Sequence, residues 1–136
     1  MSIKYAIFLK LSALAITTKI WDAHLPQNPT YPTTVYDLID EVPIGRSHDS
    51  NTAPFREARV QIDVFAQSGS QADDLIEQYF TALNSFDGVI ADSLSPQTSY
   101  DVSIRYESTN PIMDFPAEPT LNIIRGRSMD FMIFYK

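Results

Sequence analysis

The sequence predicts a single α+β domain in which an antiparallel sheet is covered on one face by two helices. Three observations lead to this prediction. Two segments repeat apolar residues with the spacing of an amphipathic helix, and others alternate apolar and polar residues as half-buried strands do. The length of 136 residues is that of one domain. The predicted order is helix, strand, strand, helix, strand, strand, and an arrangement with one parallel pair of strands remains open.

The first helix is predicted over residues 3–18, where the β-branched Thr17 and Thr18 are expected to end it. Its main apolar face follows helical spacing and consists of Ile3, Ile7, Leu11 and Leu14. Tyr5, Phe8 and Leu9 widen this face beyond what one core contact needs. The extra width predicts deep burial of the helix, with a surface for a partner as the alternative.

Residues 22–32 contain three prolines and are predicted to be an extended connector rather than a helix. Trp21 stands at its start and is interpreted as a plug for the core, with a binding role as the alternative. The first two strands are predicted at 33–42 and 57–67. The second alternates most clearly, with one face made by Val60, Ile62, Val64 and Ala66. The first does not alternate cleanly, which indicates a bulge or burial on both sides.

The second helix is predicted over residues 70–85. One apolar stripe runs along it and consists of Ala72, Leu75, Ile76, Tyr79, Phe80 and Leu83. Ser70 and Asp73 have the spacing of a capping box, which predicts Ser70 as the N-terminal cap. Asp73, Asp74 and Glu77 form an acidic cluster, which is interpreted as favouring the positive end of the helix dipole rather than as acid–base machinery.

The last two strands are predicted at 100–106 and 121–135, and two long loops at 43–56 and 108–120. One face of the final strand is apolar and consists of Met129, Phe131, Ile133 and Tyr135. The other face also becomes apolar near its end, at Met132 and Phe134. We therefore expect that end of the strand to be covered on both sides.

Catalytic and metal-binding motifs are not found in the sequence. The absence of cysteine excludes disulfides, thiolate zinc sites and cysteine nucleophiles. The two histidines, His24 and His48, lie in polar segments flanked by proline, with no G-x-S-x-G elbow and no metal-ligand spacing. The sequence therefore predicts no catalytic residue, no metal site and no cofactor.

Charge and hydropathy also restrict the partners. A net charge of −7 argues against general affinity for nucleic acid. The apolar stretch from Tyr5 to Ile16 is too short to span a membrane, and Lys10 interrupts it, which argues against a signal peptide. Residues 1–21 contain three lysines and no acid. This asymmetry is interpreted either as a solvated acidic surface on the rest of the chain or as a polarised subunit that packs against copies of itself.

Several blocks of the sequence resemble the tail-completion, or head–tail joining, proteins of long-tailed phages, a family related in fold to tail terminators. The first helix leads to Lys19–Trp21 and the proline-rich connector. Tyr31–Ile44 follows, and then Ala58–Ser68, which is the strongest match and leads directly into the second helix. Arg125–Lys136 is similar to the closing strand of the family. Residues 1–136 are thus identified as one tail-completion or tail-terminator-like domain.

The resemblance implies a non-enzymatic virion protein. Family members form a ring, generally of six subunits, at the head-proximal end of the tail. The ring ends the tail tube or joins it to the head connector, so the expected partners are other copies of the chain, the tail tube protein and the connector protein. DNA would pass through without specific binding, repelled by acidic subunits. The expected location is the virion, with assembly in the host cytoplasm and no membrane contact.

Two sets of side chains are candidate contacts for such a role. The loop at 43–56 contributes charged and aromatic residues: Arg46, His48, Asp49, Phe55 and Arg56. The end of the last strand contributes Met132 and Phe134, with burial under the first helix as the alternative. A small cytoplasmic ligand-binding or regulatory module is the rival function, and an enzyme on a ferredoxin-like scaffold is a third.

Overall fold

The computed structural model describes residues 3–17, 19–25, 30–44, 55–91, 99–116 and 123–136. Within these ranges the chain forms two helices and one sheet of six strands, curved as a half-barrel. The helices are α1 (Ile3–Leu14) and α2 (Gly69–Leu83). The strands are β1 (Ile20–Asp22), β2 (Thr33–Ile44), β3 (Phe55–Ala66), β4 (Asp87–Ala91), β5 (Ser99–Pro116) and β6 (Ile123–Tyr135). Their order across the sheet is β1-β2-β3-β6-β5-β4.

The predicted fold class is wrong. The sheet is mixed rather than antiparallel, because β1 runs parallel to β2 with Ile20 opposite Thr34. Each helix is followed by three strands, not two. The extra strands are β1 and β4, at the two edges of the sheet. They have only three and five residues, and so short a segment carries too little periodicity to predict a strand.

β5 extends through residues 108–116, where the prolines had predicted an irregular loop. The reason lies in its neighbours. β4 pairs only with Ser99 to Ser103 of β5, whereas β6 pairs with β5 from Val102 to Pro116. Among the described residues, the second half of β5 therefore has a strand on one side only. An edge strand tolerates proline, since the missing N–H is not needed by a second neighbour.

β3 and β6 are adjacent at the centre of the sheet, and Val60 lies opposite Phe131. Their apolar faces are those predicted from the sequence, because alternate residues of a strand point to opposite sides. The predicted irregularity of β2 is confirmed by a register shift between Leu38 and Asp40 against β3.

Both helices contribute to one core cluster on the same side of the sheet. α1 buries Ile3, Ala6, Ile7 and Leu11, and α2 buries Ala72, Leu75, Ile76, Tyr79 and Leu83. We call this side the covered face. α2 begins two residues earlier than the predicted cap requires, because Ser68, not Ser70, accepts a hydrogen bond from the backbone N–H of Gln71. α1 ends at Leu14, before the predicted threonines.

A chain of buried hydroxyl groups ties the helices to the sheet. The Thr17 hydroxyl donates to the Lys19 carbonyl oxygen at 3.0 Å and lies 2.8 Å from the Thr34 hydroxyl. The Thr34 hydroxyl lies 2.8 Å from the Tyr79 hydroxyl. Tyr79 is fully buried, so each of these groups needs a partner inside the protein. This row of hydrogen bonds thereby fixes three parts of the fold relative to one another: the turn after α1, strand β2 and helix α2.

Neither helix is long and apolar enough to cross a membrane, among the residues that the structure describes.

Candidate docking surface

The side of the sheet opposite the helices is polar over most of its area, and we call it the open face. Residues directly opposite each other in neighbouring antiparallel strands share a face. On β3 the open-face residues are Phe55, Glu57, Arg59, Gln61, Asp63 and Phe65, and their partners on β6 include Met132 and Phe134. The same strands thus supply the apolar core on one side and a mixed surface on the other.

One end of the open face is closed by the connector. Val35, Phe65 and Ile124 form a second, small buried cluster, and Trp21, Leu25 and Tyr31 pack against it. Trp21 is half-buried there, and its buried indole N–H has no hydrogen-bond partner among the residues that the structure describes. The predicted role of Trp21 as a plug therefore fits its position, although it packs on this second cluster and not on the main core.

The middle of the open face holds a partly buried carboxylate. The Gln61 side-chain amide donates to Asp63 Oδ1 at 3.0 Å and contacts Ser128 Oγ at 3.1 Å. Burial raises the pKa of the Asp63 carboxyl, and the nearby Asp130 and Asp37 carboxylates act in the same direction. Hydrogen bonds from Ser128 and Gln61 oppose this shift. The ionised form of Asp63 is therefore less favourable in the folded protein than in water.

Ion pairs occupy the next part of the open face. Arg59 lies 2.8 Å from Glu107, and Arg105 lies 3.4 Å from Asp87. A hydrogen bond from Ser103, with Arg105 nearby, lowers the pKa of the Asp87 carboxyl. Since these side chains are exposed and water screens their charges, each pair contributes little to stability.

An apolar patch lies where β2, β3, β6 and β4 end on this face. We call it the strand-end patch, and it consists of Val42, Phe55, Val89, Met132 and Phe134. Val42, Phe55 and Val89 are 46%, 48% and 62% exposed, whereas Met132 and Phe134 are half-buried. Phe55, Val89 and Phe134 line a groove of about 390 Å³ together with charged side chains of Asp87, Asp101 and Lys136. The Lys136 ammonium lies 5.8 Å from the centre of the Phe55 ring.

The structure brings together three of the predicted contact residues. Phe55, Met132 and Phe134 share the strand-end patch. Met132 and Phe134 lie opposite Arg59 and Glu57 on the open face, so burial under the first helix does not occur. No described residue range covers this end of the strand on its open side, contrary to expectation.

The remaining predicted contacts lie elsewhere. Arg56 belongs to the covered face, where it lies opposite Tyr135 and 3.3 Å from Glu41. The Tyr135 hydroxyl donates to Glu41, and burial followed by this contact raises the pKa of Tyr135. Arg46, His48 and Asp49 lie outside the described residues. Sequence reasoning missed Val89, because β4 was not predicted, and Val42, whose exposure depends on its place beyond the bulge of β2.

Other chemistry has little support in the described parts of the chain. No group of three or more His, Asp or Glu side chains there is placed to hold a metal ion. In the acidic cluster of α2, Asp73 accepts a hydrogen bond from Arg127 at 2.8 Å, which is a structural contact between α2 and β6. The cavity between the helices and the sheet has a volume of only about 20 Å³, and its lining is apolar except for Lys10 at its edge, so it is too small for an organic ligand.

Comparison with protein-family models and with curated protein sequences finds no match to this chain.

Proposed function

We propose that this chain is a non-enzymatic structural protein of a long-tailed phage. In this proposal, copies of the chain form a ring at the head-proximal end of the tail. The ring ends the tail tube or joins it to the head connector. The protein acts by binding its neighbours, and DNA passes it without specific contacts.

The observation that carries the proposal is the resemblance of three sequence blocks to the tail-completion family. These blocks are Tyr31–Ile44, Ala58–Ser68 and Arg125–Lys136. They contribute β2, β3 and β6, which are adjacent strands in the sheet. These segments lie far apart in the sequence but form one continuous part of the fold. This is what we expect if all three blocks belong to one domain of the tail-completion type.

The strand-end patch is a second support. Phe55, Val89 and Phe134 line one groove, and exposed large apolar side chains grouped in this way are typical of a contact surface. The described pockets offer less to a small molecule, since the cavity beneath the helices is only about 20 Å³ and the grooves of about 250–390 Å³ are open to solvent. A protein that works by contact with other proteins suits this distribution better than one that encloses a ligand.

Electron microscopy of particles from a phage that lacks this gene tests the proposal. We expect filled heads beside separate tails of normal length if the protein joins the two, and overlong tubes if it ends tube growth. Supplying the wild-type gene from a plasmid is the control, and it should restore intact virions.

Normal infectious particles in the absence of the gene would overturn the proposal. The rival function, a small-molecule binding module, would then be tested by thermal shift of the purified chain against a ligand collection. A saturable rise in melting temperature would favour that rival.

A further inference from the structure

Beside the core contacts of α1, a second group of apolar side chains is only partly buried, although one of them, Phe8, packs against the core cluster and has its ring centre 6.1 Å from that of Tyr36. Sequence reasoning expected deep burial of this helix, but Tyr5 is 39% exposed, and Phe8 and Leu9 are half-buried. Residues at i, i+3 and i+4 lie side by side on a helix, so these three form one stripe. The rings of Tyr5 and Phe8 stack with their centres 6.0 Å apart. We call this surface the outer stripe.

The surroundings of the outer stripe are basic. The described residues from Ile3 to Trp21 include three lysines and no carboxylate. Lys4, one turn before Phe8, forms an ion pair with Asp22 at 2.7 Å. Lys10 lies on another side of the helix, where it borders the core cavity with Ile7 and Leu11, and its ammonium lies 4.0 Å from the centre of the Phe86 ring. Lys19 is exposed and lines, with Phe8, a groove of about 250 Å³ between α1 and β1.

The open face, which includes the strand-end patch, has the opposite charge. Among the described side chains, its carboxylates are Asp37, Asp40, Glu57, Asp63, Asp87, Asp101, Glu107 and Asp130, and its cations are Arg59, Arg105 and Lys136. One chain thus carries two exposed apolar surfaces with opposite electrostatic surroundings.

We propose that the outer stripe of α1 on one copy docks onto the strand-end patch of a second copy. The apolar residues of both surfaces leave water in this contact, and the lysines around the stripe face the carboxylates around the patch. This inference deepens the proposed function, since it names the surfaces by which subunits of the ring would meet.

Charge explains why the two surfaces meet each other rather than themselves. Contact between two outer stripes would place Lys4 and Lys19 of one copy near those of the other. Contact between two patches would oppose their carboxylates. Like charges across an interface oppose association, so both symmetric pairings are disfavoured.

The positions of the two surfaces determine what such a contact builds. The stripe lies on the helix side of the sheet and the patch lies on the open face, so one copy can bind two neighbours at the same time. A contact between two different surfaces is heterologous, and its repetition gives a closed ring or an open filament. Association by this contact should weaken as salt screens the charges.

Two variants of the full chain, each with one introduced charge, test the proposal. Tyr5→Glu places a carboxylate on the outer stripe, and Val89→Lys places a cation on the strand-end patch. Both positions are exposed in the monomer, so folding should be retained, as circular dichroism will check. Tyr5→Ser and Val89→Ser are milder substitutes if either variant fails to fold. The controls are Ser70→Glu and Ile39→Lys, which make similar changes at exposed positions outside both surfaces.

Light scattering and sedimentation over a range of concentrations provide the measurement. We expect the wild-type chain and both controls to self-associate, and each single variant to associate at least about tenfold more weakly. An equal mixture of Tyr5→Glu and Val89→Ser should form a one-to-one dimer that grows no further. In that mixture only one intact stripe and one intact patch are available for each pair.

Other results would overturn the inference. Unchanged assembly of Val89→Lys would mean that the patch is not used, and unchanged assembly of Tyr5→Glu would exclude the stripe. Failure of the mixture to form dimers would exclude a heterologous contact. A wild-type chain that stays monomeric at every concentration would exclude the contact altogether. All these outcomes are independent of the deletion phenotype, so the failure of this inference and the failure of the proposed function are distinguishable.

Discussion

The two faces of the sheet are built from alternate residues of the same strands, yet they differ in almost every physical property. On β6, Phe131 is 1% exposed beneath the helices, whereas Phe134 is half-buried on the open face. On the covered face, buried hydroxyl groups form hydrogen bonds with one another, whereas the carboxylates on the open face are accessible to water. The comparison indicates that the residues of the covered face provide most of the stability, whereas the side chains of the open face remain available for contact with other molecules.

The largest expected difference between the faces concerns their phenylalanines. Phe131→Ala should lower the free energy of unfolding by about 3–5 kcal/mol, because it removes a fully buried ring from a packed core. Phe134→Ala should cost only about 1 kcal/mol, since part of that ring is already in water. Urea denaturation followed by circular dichroism measures both. Equal losses would contradict the assignment of stability to the covered face.

The next effect concerns the buried hydroxyl chain. Tyr79→Phe keeps the ring but removes the hydroxyl that contacts Thr34, so it should cost about 1–2 kcal/mol. Tyr106→Phe is the matched control, because its hydroxyl lies 2.8 Å from Thr109 at an exposed position. The control should change stability by less than about 0.5 kcal/mol. Thermal unfolding measures the stability of both variants. A larger loss of stability in Tyr106→Phe than in Tyr79→Phe would refute the prediction.

The free energy of unfolding should depend on pH, because the ionised Asp63 carboxylate destabilises the folded protein. Because the folded protein holds the Asp63 proton more tightly than the unfolded chain does, stability falls as pH rises from the ordinary carboxyl pKa through the raised one. Asp63→Asn does not titrate, so the variant should gain stability relative to wild type over this interval. Urea denaturation at several pH values measures the difference, with acidic pH, where both side chains are neutral, as the internal reference. A relative loss at neutral pH would contradict the sign.

The smallest expected effect is that of the open-face ion pairs. Arg59→Gln removes the contact with Glu107 and should cost about 0–1 kcal/mol, a loss that high salt should abolish. Arg127→Gln is the counterpart on the covered face, where the arginine is less exposed and also donates to the Gly126 carbonyl oxygen at 2.8 Å. We expect the larger loss for Arg127→Gln. Chemical denaturation at two salt concentrations measures both losses. A larger loss for Arg59→Gln than for Arg127→Gln would contradict this prediction.

Periodicity predicted the elements in which local pattern and final environment agree. β3 alternates from Glu57 to Val64, and β6 keeps its four apolar residues on the covered face as predicted. The apolar stripe of α2 was also predicted, because a helix that packs on a sheet must repeat apolar residues with its own period. The cap of α2 was misplaced by two residues, since Ser68 and Ser70 are both suitable and only the backbone geometry distinguishes them.

The candidate site was predicted only in part. Phe55, Met132 and Phe134 were recognised as candidate contacts, but nothing local indicated that they share a surface. Arg56 was grouped with Phe55, although adjacent residues of a strand point to opposite faces. Val89 was missed because β4 is a strand only by virtue of its pairing with β5.

The sequence by itself determined the two helices, the central strands and most of the residues that form the main core, because these depend on spacing along one segment. Only the tertiary structure decided the mixed sheet, the extension of β5 through its prolines and the surface on which the predicted contacts meet. Each of these depends on which strand lies beside another. Pairing joins residues far apart in the chain, and no local pattern encodes the neighbour across the sheet.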